Sequence, residues 1–258
     1  MFTLVGYTES QDSSSLTNVA ALADPHVRVS GDDIVVPSAL TYVGGVYAIG
    51  ASITRAQLVS PSIRRRYPFE TVPVENAAEP ADPVKYFPLF DNPIALDPDE
   101  SLNFQAAENG AGAQPSSGFV WLCDGAVAPI TGAEIFTIRA TNTSTLTAYA
   151  WTNGALTFND TLPAGEYALV GARGSSAGLI AFRFVFSQYA WRPGAIASDT
   201  TGEVGAPIFR FGQLGTWGEF SHNTPPTVDF LSLSADTSQT VDLDLILLSG
   251  RLSGPGRS

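Results

Sequence analysis

Short apolar runs separated by turn residues cover most of this chain, and this pattern constrains its fold more than any other feature. The runs are rich in Val, Ile, Phe and Tyr, which favour strands, and Gly and Pro lie between them. With 24 Gly and 18 Pro and few helix-like repeats, the chain is predicted to be all-β, an antiparallel β-sandwich of jelly-roll type. The predicted strands are Val27–Val29, Ile34–Val36, Thr41–Ile49, Ile94–Leu96, Leu102–Ala106, Phe119–Cys123, Glu134–Ala140, Leu146–Trp151, Ala155–Phe158, Tyr167–Val170, Leu179–Phe186, Val228–Leu233 and Val241–Leu248.

Few segments have a helical or irregular signature. Ser13–Leu22 follows a potential cap at Asp12 and predicts a short helix or a turn region, and Ser52–Val59 predicts a short helix within a connection. The Pro-rich segment Val72–Asp99 predicts an extended surface loop, and Arg251–Ser258 a flexible tail.

A weak internal similarity links the two halves of the chain. Tyr47–Ser52 is similar to Tyr167–Ala172, and Ala56–Val59 is similar to Ala177–Ile180, at an offset near half the chain length. Tandem β-modules leave such an offset, so we predict two jelly-roll modules, residues 1–130 and 131–258. One jelly roll with long excursions is the alternative.

Charge limits the partners that the chain can bind. Of the 258 residues only 15% are charged, and the formal net charge is -12. An acidic field repels phosphate, so direct sequence-specific binding of nucleic acid is not expected. The low charged fraction indicates that much of the surface faces other protein.

Residues that carry enzyme chemistry are scarce. His26 and His222 lie in loop-like sequence without metal-ligand spacing, and Cys123 lies in an apolar run where a buried, inert thiol is expected. We therefore predict no catalytic residue, no metal site and no cofactor. Carboxylates that could still form a glycosidase pair are Asp97, Asp99 and Glu100, or Asp242 and Asp244, of which the last two are expected to point into solvent from one strand.

One basic run stands out in this acidic chain. Arg64, Arg65 and Arg66 are adjacent and repel one another, so they require counter-charges. They predict either a contact with phosphate, lipid headgroups or an acidic patch of a neighbouring subunit, or a solvated turn neutralised by Glu70, Glu75 and Glu79.

Two stretches resemble major capsid proteins of small icosahedral bacteriophages. The first is Ile53–Arg65, and the second runs from Leu162–Gly171 through Leu179–Arg183 to Trp191–Gly194. The resemblance covers about residues 40–200 and implies a jelly-roll capsid subunit, with larger members carrying two tandem barrels.

This resemblance implies a set of partners and a location. The subunit would form a homotrimer that contacts neighbouring capsomers and other virion proteins in an icosahedral shell, and an internal membrane is a further partner that it allows. Arg64, Arg65 and Arg66 would form an inner-surface or inter-subunit contact. The protein would be synthesised in the host cytoplasm and reside in the virion capsid, and no basic arm for packaging nucleic acid is visible.

Two other functions are compatible with a β-sandwich. A carbohydrate-binding module, such as a virion spike or surface lectin, would use exposed aromatic rings, with Trp151, Trp191 and Trp217 as candidates. A hydrolase with a jelly-roll or cupin-like fold is the other; cupins hold a metal through several His, which two separated His residues do not supply, so a carboxylate-based glycosidase is the form of it that remains.

Overall fold

The fold is all-β in this computed structural model, which describes residues 1–66, 72–80, 84–198 and 206–250. The predicted tail and Glu70 lie outside this part of the chain. The strands of the first half are β1 (Phe2–Gln11), β2 (Thr17–Val19), β3 (Val29–Ser30), β4 (Asp33–Val35), β5 (Tyr42–Gly50), β6 (Ile53–Val59), β7 (Val74–Asn76), β8 (Phe87–Pro88), β9 (Ile94–Ala95), β10 (Ser101–Glu108) and β11 (Gln114–Cys123). Those of the second half are β12 (Phe136–Asn142), β13 (Thr152–Gly154), β14 (Thr157–Phe158), β15 (Gly165–Ser175), β16 (Leu179–Val185), β17 (Gly194–Ile196), β18 (Gly218–Ser221), β19 (Thr227–Ser232) and β20 (Gln239–Gly250). Helix α1 (Pro61–Arg66) and a 3-10 turn, Pro207–Phe209, complete the elements.

Strands of the first half form one sandwich of two sheets. Sheet 1 has the order β1-β11-β5-β7, with β8 and β9 also on β5, and sheet 2 has the order β2-β10-β4-β3, with β6 on the other side of β10. The first strand therefore pairs with the last, and the second with the last but one, as in a long hairpin rolled into two sheets. This winding is the jelly roll.

Strands of the second half repeat the same winding. Sheet 3 has the order β14-β12-β20-β15-β18 and sheet 4 the order β13-β19-β16-β17. In this arrangement β12 and β20 correspond to β1 and β11, and β15 and β16 correspond to β5 and β6. The similar segments noted in the sequence lie on these equivalent elements, since Tyr47–Ser52 lies mainly on β5 and Tyr167–Ala172 on β15.

Sheet 1 is buried on both faces. Alternation along β11 sends Val120 and Leu122 into the core between sheets 1 and 2, whereas Phe119, Trp121 and Cys123 belong to the same apolar cluster as the core of the second sandwich. Sheet 1 is therefore a layer that the two sandwiches share, and its near-continuous apolar sequence follows from that position.

Most predicted strands are confirmed, although only Val29 of the predicted strand Val27–Val29 lies in a strand, and three other local predictions are wrong. Ser52–Val59 contains strand β6 instead of a helix. The alternation expected of a strand is hidden in the sequence, because a register shift opposite Ala107 and Glu108 leaves Thr54 as an extra residue. For Ser13–Leu22 the helix alternative is wrong: the segment has a bend at Ser14–Ser15, in line with the turn alternative, and then the short strand β2.

The third wrong prediction is the strand at Leu146–Trp151. In that segment Ala148 makes only an isolated bridge to Ser232, and Tyr149 has φ 55, a left-handed conformation that strands do not adopt. The loop predicted at Val72–Asp99 is largely irregular where it is described, with three short strands, β7, β8 and β9, added to β5. Among the described residues, no helix is long and apolar enough to cross a membrane.

Candidate functional site

The basic run forms the second half of helix α1, which lies next to the acidic turn at Asp97–Glu100. Arg65 pairs with Asp97 at 2.5 Å, and both side chains are more than half exposed. Glu100 accepts a hydrogen bond from the backbone N–H of Ser62 (2.9 Å) and so anchors the start of the helix. The acidic turn thus stabilises α1, a role that sequence reasoning missed when it assigned the counter-charges elsewhere.

Of the expected counter-charges, Glu75 and Glu79 lie in the described part of the chain. Glu75 is buried and accepts a hydrogen bond of 2.6 Å from the Tyr47 hydroxyl. Glu79 makes no ion pair with any residue that the structure describes, and Glu70 and the side chain of Arg66 lie outside those residues. The role predicted for Arg64, Arg65 and Arg66 as a contact stays a prediction.

Arg64 lines a polar cleft on the outer face of sheet 2. The cleft has a volume of about 400 Å³. We call it the polar cleft, and its lining residues are Asn18, Asp33, Val59, Ser60, Pro61, Arg64, Ser101, Asn103 and Gln105. It brings together α1 and four strands, β2, β4, β6 and β10, so its shape is fixed by sheet pairing.

A buried ion cluster joins the two sandwiches. It comprises Asp24, Arg183, Arg192 and Asp229, in which Arg183 pairs with both carboxylates (Asp229 at 3.0 Å) and Arg192 also pairs with Asp229. Arg183 is fully buried, and burial lowers the pKa of Arg192. Since a charge in a low-dielectric interior needs a partner, the four groups hold one another in place.

Hydrogen bonds from this cluster reach the first strand of the chain. Arg183 Nη1 donates to the backbone oxygen of Leu4 (3.1 Å), and the Leu4 N–H donates to the oxygen of Arg192 (2.9 Å). The Trp121 indole donates to the oxygen of Gly194 at 2.9 Å. Strand β1, in sheet 1, is therefore bonded directly to the second sandwich.

Aromatic rings fill the rest of this joint. Trp121 stacks on Phe209, and Phe2 meets Trp217 edge to face, each pair with ring centroids 5.4 Å apart. Both tryptophans are essentially buried. These contacts have the offset or perpendicular geometry that aromatic rings prefer.

The tryptophans proposed as a sugar-stacking surface belong to this packing. Trp217 is 1% exposed, so it is not a surface ring. Trp151 is covered by the guanidinium of Arg183 (4.3 Å to the ring centroid), and Trp191 stacks on Tyr189 at 4.5 Å.

Asp242 and Asp244 share one face of β20, but the prediction that they point into solvent is wrong. Asp244 is fully buried and accepts two hydrogen bonds from Arg210, from Nε at 2.7 Å and Nη2 at 2.8 Å. Asp242, 7% exposed, pairs with Arg139 and Arg173. The arginines neutralise both carboxylates, so this pair is part of an ion network.

The same network supports an exposed ring beside the 3-10 turn. Phe211 is 54% exposed and has φ 50, a conformation that is strained for a residue with a side chain. Its N–H donates to Asp244 (2.9 Å), and Arg210 lies 4.7 Å from its ring centroid. The fold thus fixes an apolar ring in solvent.

The remaining candidate residues have structural surroundings. His26 is largely exposed, and partial desolvation, followed by the charge of Arg192, lowers its pKa. His222 Nδ1 accepts a hydrogen bond from the N–H of Gly165 (3.3 Å). Cys123 is buried, as predicted, and burial raises its pKa. No group of three or more His, Cys, Asp or Glu within the described ranges could hold a metal ion.

Sequence reasoning missed the buried ion cluster, although a signal was present. Arg183 interrupts the apolar run Leu179–Phe186, and Asp229 interrupts Val228–Leu233. A lone charge inside an otherwise apolar strand indicates a buried partner. Two such charges of opposite sign could have been matched with each other.

Comparison with known proteins gives one structural match to report. The major capsid protein P2 of bacteriophage PM2 is 11% identical, with 96% of this chain and 98% of that chain covered, at a TM-score of 0.24. A TM-score this low supports no conclusion about function. No protein-family model and no curated protein matched the chain.

Proposed function

We propose that this chain is a virus capsid subunit, with a structural and not a catalytic role, which assembles with copies of itself. The observation that carries the proposal is the pair of jelly-roll sandwiches joined by the buried ion cluster and by the shared sheet 1. Jelly rolls recur in capsid proteins, where they leave few exposed strand edges. Two jelly rolls fused side by side form a rigid subunit of double width.

A shell requires that the joint between the two sandwiches of such a subunit is rigid. Inter-domain interfaces in one chain are often polar and permit domain motion. Here the joint contains stacked rings and paired buried charges, which resist sliding because each partner would become unpaired. A subunit that keeps one shape can form the same contacts at every position of a lattice.

The sheet pairing supports a division of the chain into two modules. We propose modules at residues 1–130 and 131–258, because β11 ends the first sandwich at Cys123 and β12 begins the second at Phe136. Three copies would bring six sandwiches around one axis, so we propose a homotrimer as the capsomer of an icosahedral shell.

Exposed residues suggest which parts of the surface form contacts in this trimer. Phe211 is an exposed aromatic ring, and aromatic residues including Phe are enriched at protein interfaces. Arg64, Arg65 and Arg66 are proposed as an inner-surface or inter-subunit contact, with other virion proteins or an internal membrane as partners. A net charge of -12 disfavours direct contact with the genome. The proposed location is the virion, after synthesis in the host cytoplasm.

The carbohydrate-module alternative has less support, because Trp217 is buried and Arg183 and Tyr189 each occupy one face of the partly buried rings of Trp151 and Trp191.

Electron microscopy of the purified chain tests the proposal. Concentrated protein would be incubated over a range of salt and pH and imaged in negative stain. Closed particles of uniform diameter support a capsid subunit. Dispersed single molecules under every condition would count against self-assembly, and irregular aggregates would count against an ordered lattice.

A further inference from the structure

Residues on β10 alternate between the core and the polar cleft. Leu102 and Phe104 are fully buried in the core of the first sandwich, so the residue between them, Asn103, faces the opposite side of sheet 2. Ser101 and Gln105 line the cleft in the same way. The floor of the cleft is thus a row of polar side chains on a rigid strand.

Asn103 has an unused hydrogen-bond acceptor in this floor. The side chain is 6% exposed, and its Nδ2 donates to the backbone oxygen of Asp32 (3.3 Å). Its Oδ1 has no hydrogen-bond partner among the described residues. A buried polar atom without a partner is costly, and a rotation of the Asn103 amide towards the cleft would let a bound ligand donate a hydrogen bond to it.

Charges in the cleft restrict the class of that ligand. Arg64 and Asp33 both line it, and neither forms an ion pair with any residue in the described ranges. A simple anion would bind Arg64, but the carboxylate of Asp33 would repel it and it has no hydrogen to donate to the acceptor of Asn103. A simple cation would be repelled by Arg64. A neutral ligand that both donates and accepts hydrogen bonds satisfies all three groups.

We propose that the polar cleft binds a neutral polyhydroxylated ligand, a sugar residue. Each hydroxyl of a sugar can donate to Asn103 or Asp33 and accept from Arg64, and Gln105 and Ser101 add further amide and hydroxyl groups along the floor. A volume of about 400 Å³ lies within the range of small-molecule sites. The inference does not depend on self-assembly, since the whole cleft is formed within one chain.

Saturation-transfer difference NMR with the full chain tests this site, because the method reports weak binding to single subunits and to large assemblies alike. The probes are glucose, galactose, mannose, rhamnose and N-acetylglucosamine, each titrated through the millimolar range, with inorganic phosphate tested in parallel by competition. We expect at least one sugar to bind. We expect Arg64→Ala and Asn103→Ala each to weaken that binding about tenfold, the effect of losing one buried or charged hydrogen bond.

Arg65→Ala is the matched control, since it removes an equal charge from the next position of α1 and Arg65 is outside the cleft lining. It should bind the sugar as the unmodified chain does. Thermal unfolding of each variant shows whether the fold is retained, and Arg64 is exposed, so its replacement should not unfold the chain. Absence of binding by every sugar, equal weakening by Arg65→Ala, or displacement of the sugar by phosphate at equal concentration would overturn the proposal.

Discussion

Arg183 of the second sandwich donates a hydrogen bond to the backbone oxygen of Leu4 in the first, at 3.1 Å and across 179 positions of sequence. The same guanidinium pairs with Asp229 on the neighbouring strand β19 and with Asp24 in the first sandwich. One side chain therefore bonds to both sandwiches, and the stability of the joint should depend on it.

Replacement of this arginine by an apolar residue of similar length tests the joint. We expect Arg183→Met to lower the free energy of unfolding by about 3–5 kcal/mol, because buried Asp24 loses its arginine and buried Asp229 keeps only Arg192. Urea denaturation measures the change. The control is Arg139→Met, which removes an ion pair to Asp242 from a side chain that is 56% exposed and should cost less than about 1 kcal/mol. Equal losses for the two variants would mean that the cluster does not hold the sandwiches together.

Phe211→Gly separates a role in assembly from a role in folding. Glycine removes the exposed ring and relieves the strain of φ 50, but it also increases the entropy of the unfolded chain. These effects oppose each other, so we expect the free energy of unfolding to change by less than about 1 kcal/mol, while association weakens by about 2 kcal/mol or more if the ring is an interface anchor.

Asp99→Gly is the matched control for that variant, because Asp99 has φ 62 and carries no apolar ring. Association is measured by sedimentation velocity over a concentration series. Should both variants associate as the unmodified chain does, Phe211 is not an interface residue.

Cys123 should report on opening of the joint. Its side chain is fully buried, and burial raises the pKa of the thiol, so the reactive thiolate is scarce in the folded state. We expect a thiol reagent to modify Cys123 at the rate of unfolding, which is measured in parallel by fluorescence. Rapid modification under native conditions would contradict the buried position of β11.

Two buried tyrosines should make the chain sensitive to alkali. Burial raises the pKa of Tyr7 and of Tyr47 above the ordinary 10.0, and the charge of Glu75 raises the pKa of Tyr47 further. The folded state therefore holds these protons more tightly than the unfolded chain, a stabilisation that is complete below pH 10 and is lost as the pH rises above it. We expect ionisation of both, followed by ultraviolet absorbance, to coincide with unfolding. Ionisation near pH 10 without unfolding would show that the hydroxyls are accessible.

Local sequence patterns were sufficient to predict elements whose alternation is regular. Val241–Leu245 alternates apolar and acidic residues, and it forms the middle of β20. The same pattern gave the wrong environment for Asp244, because the segment that carries Arg210 covers that face of sheet 3. Which loop covers a sheet depends on contacts between distant parts of the chain, and periodicity contains no information about them.

The candidate sites illustrate the same division. The basic run was recognisable from three adjacent arginines. Arg65 pairs with Asp97 whereas Arg64 lines the polar cleft, and this difference depends on how α1 lies against sheet 2. The floor residue Asn103 gave no signal, since one Asn in an alternating strand is ordinary. Its significance arises from burial without a partner, which only the folded arrangement shows.

The molar mass of the chain in solution, measured by light scattering over a concentration and salt series, tests the proposed function most directly. The account predicts a species of three times 27.2 kDa that converts into much larger closed particles as concentration rises. A mass of 27.2 kDa at every concentration and salt would contradict it, and the chain would then act as a monomeric module.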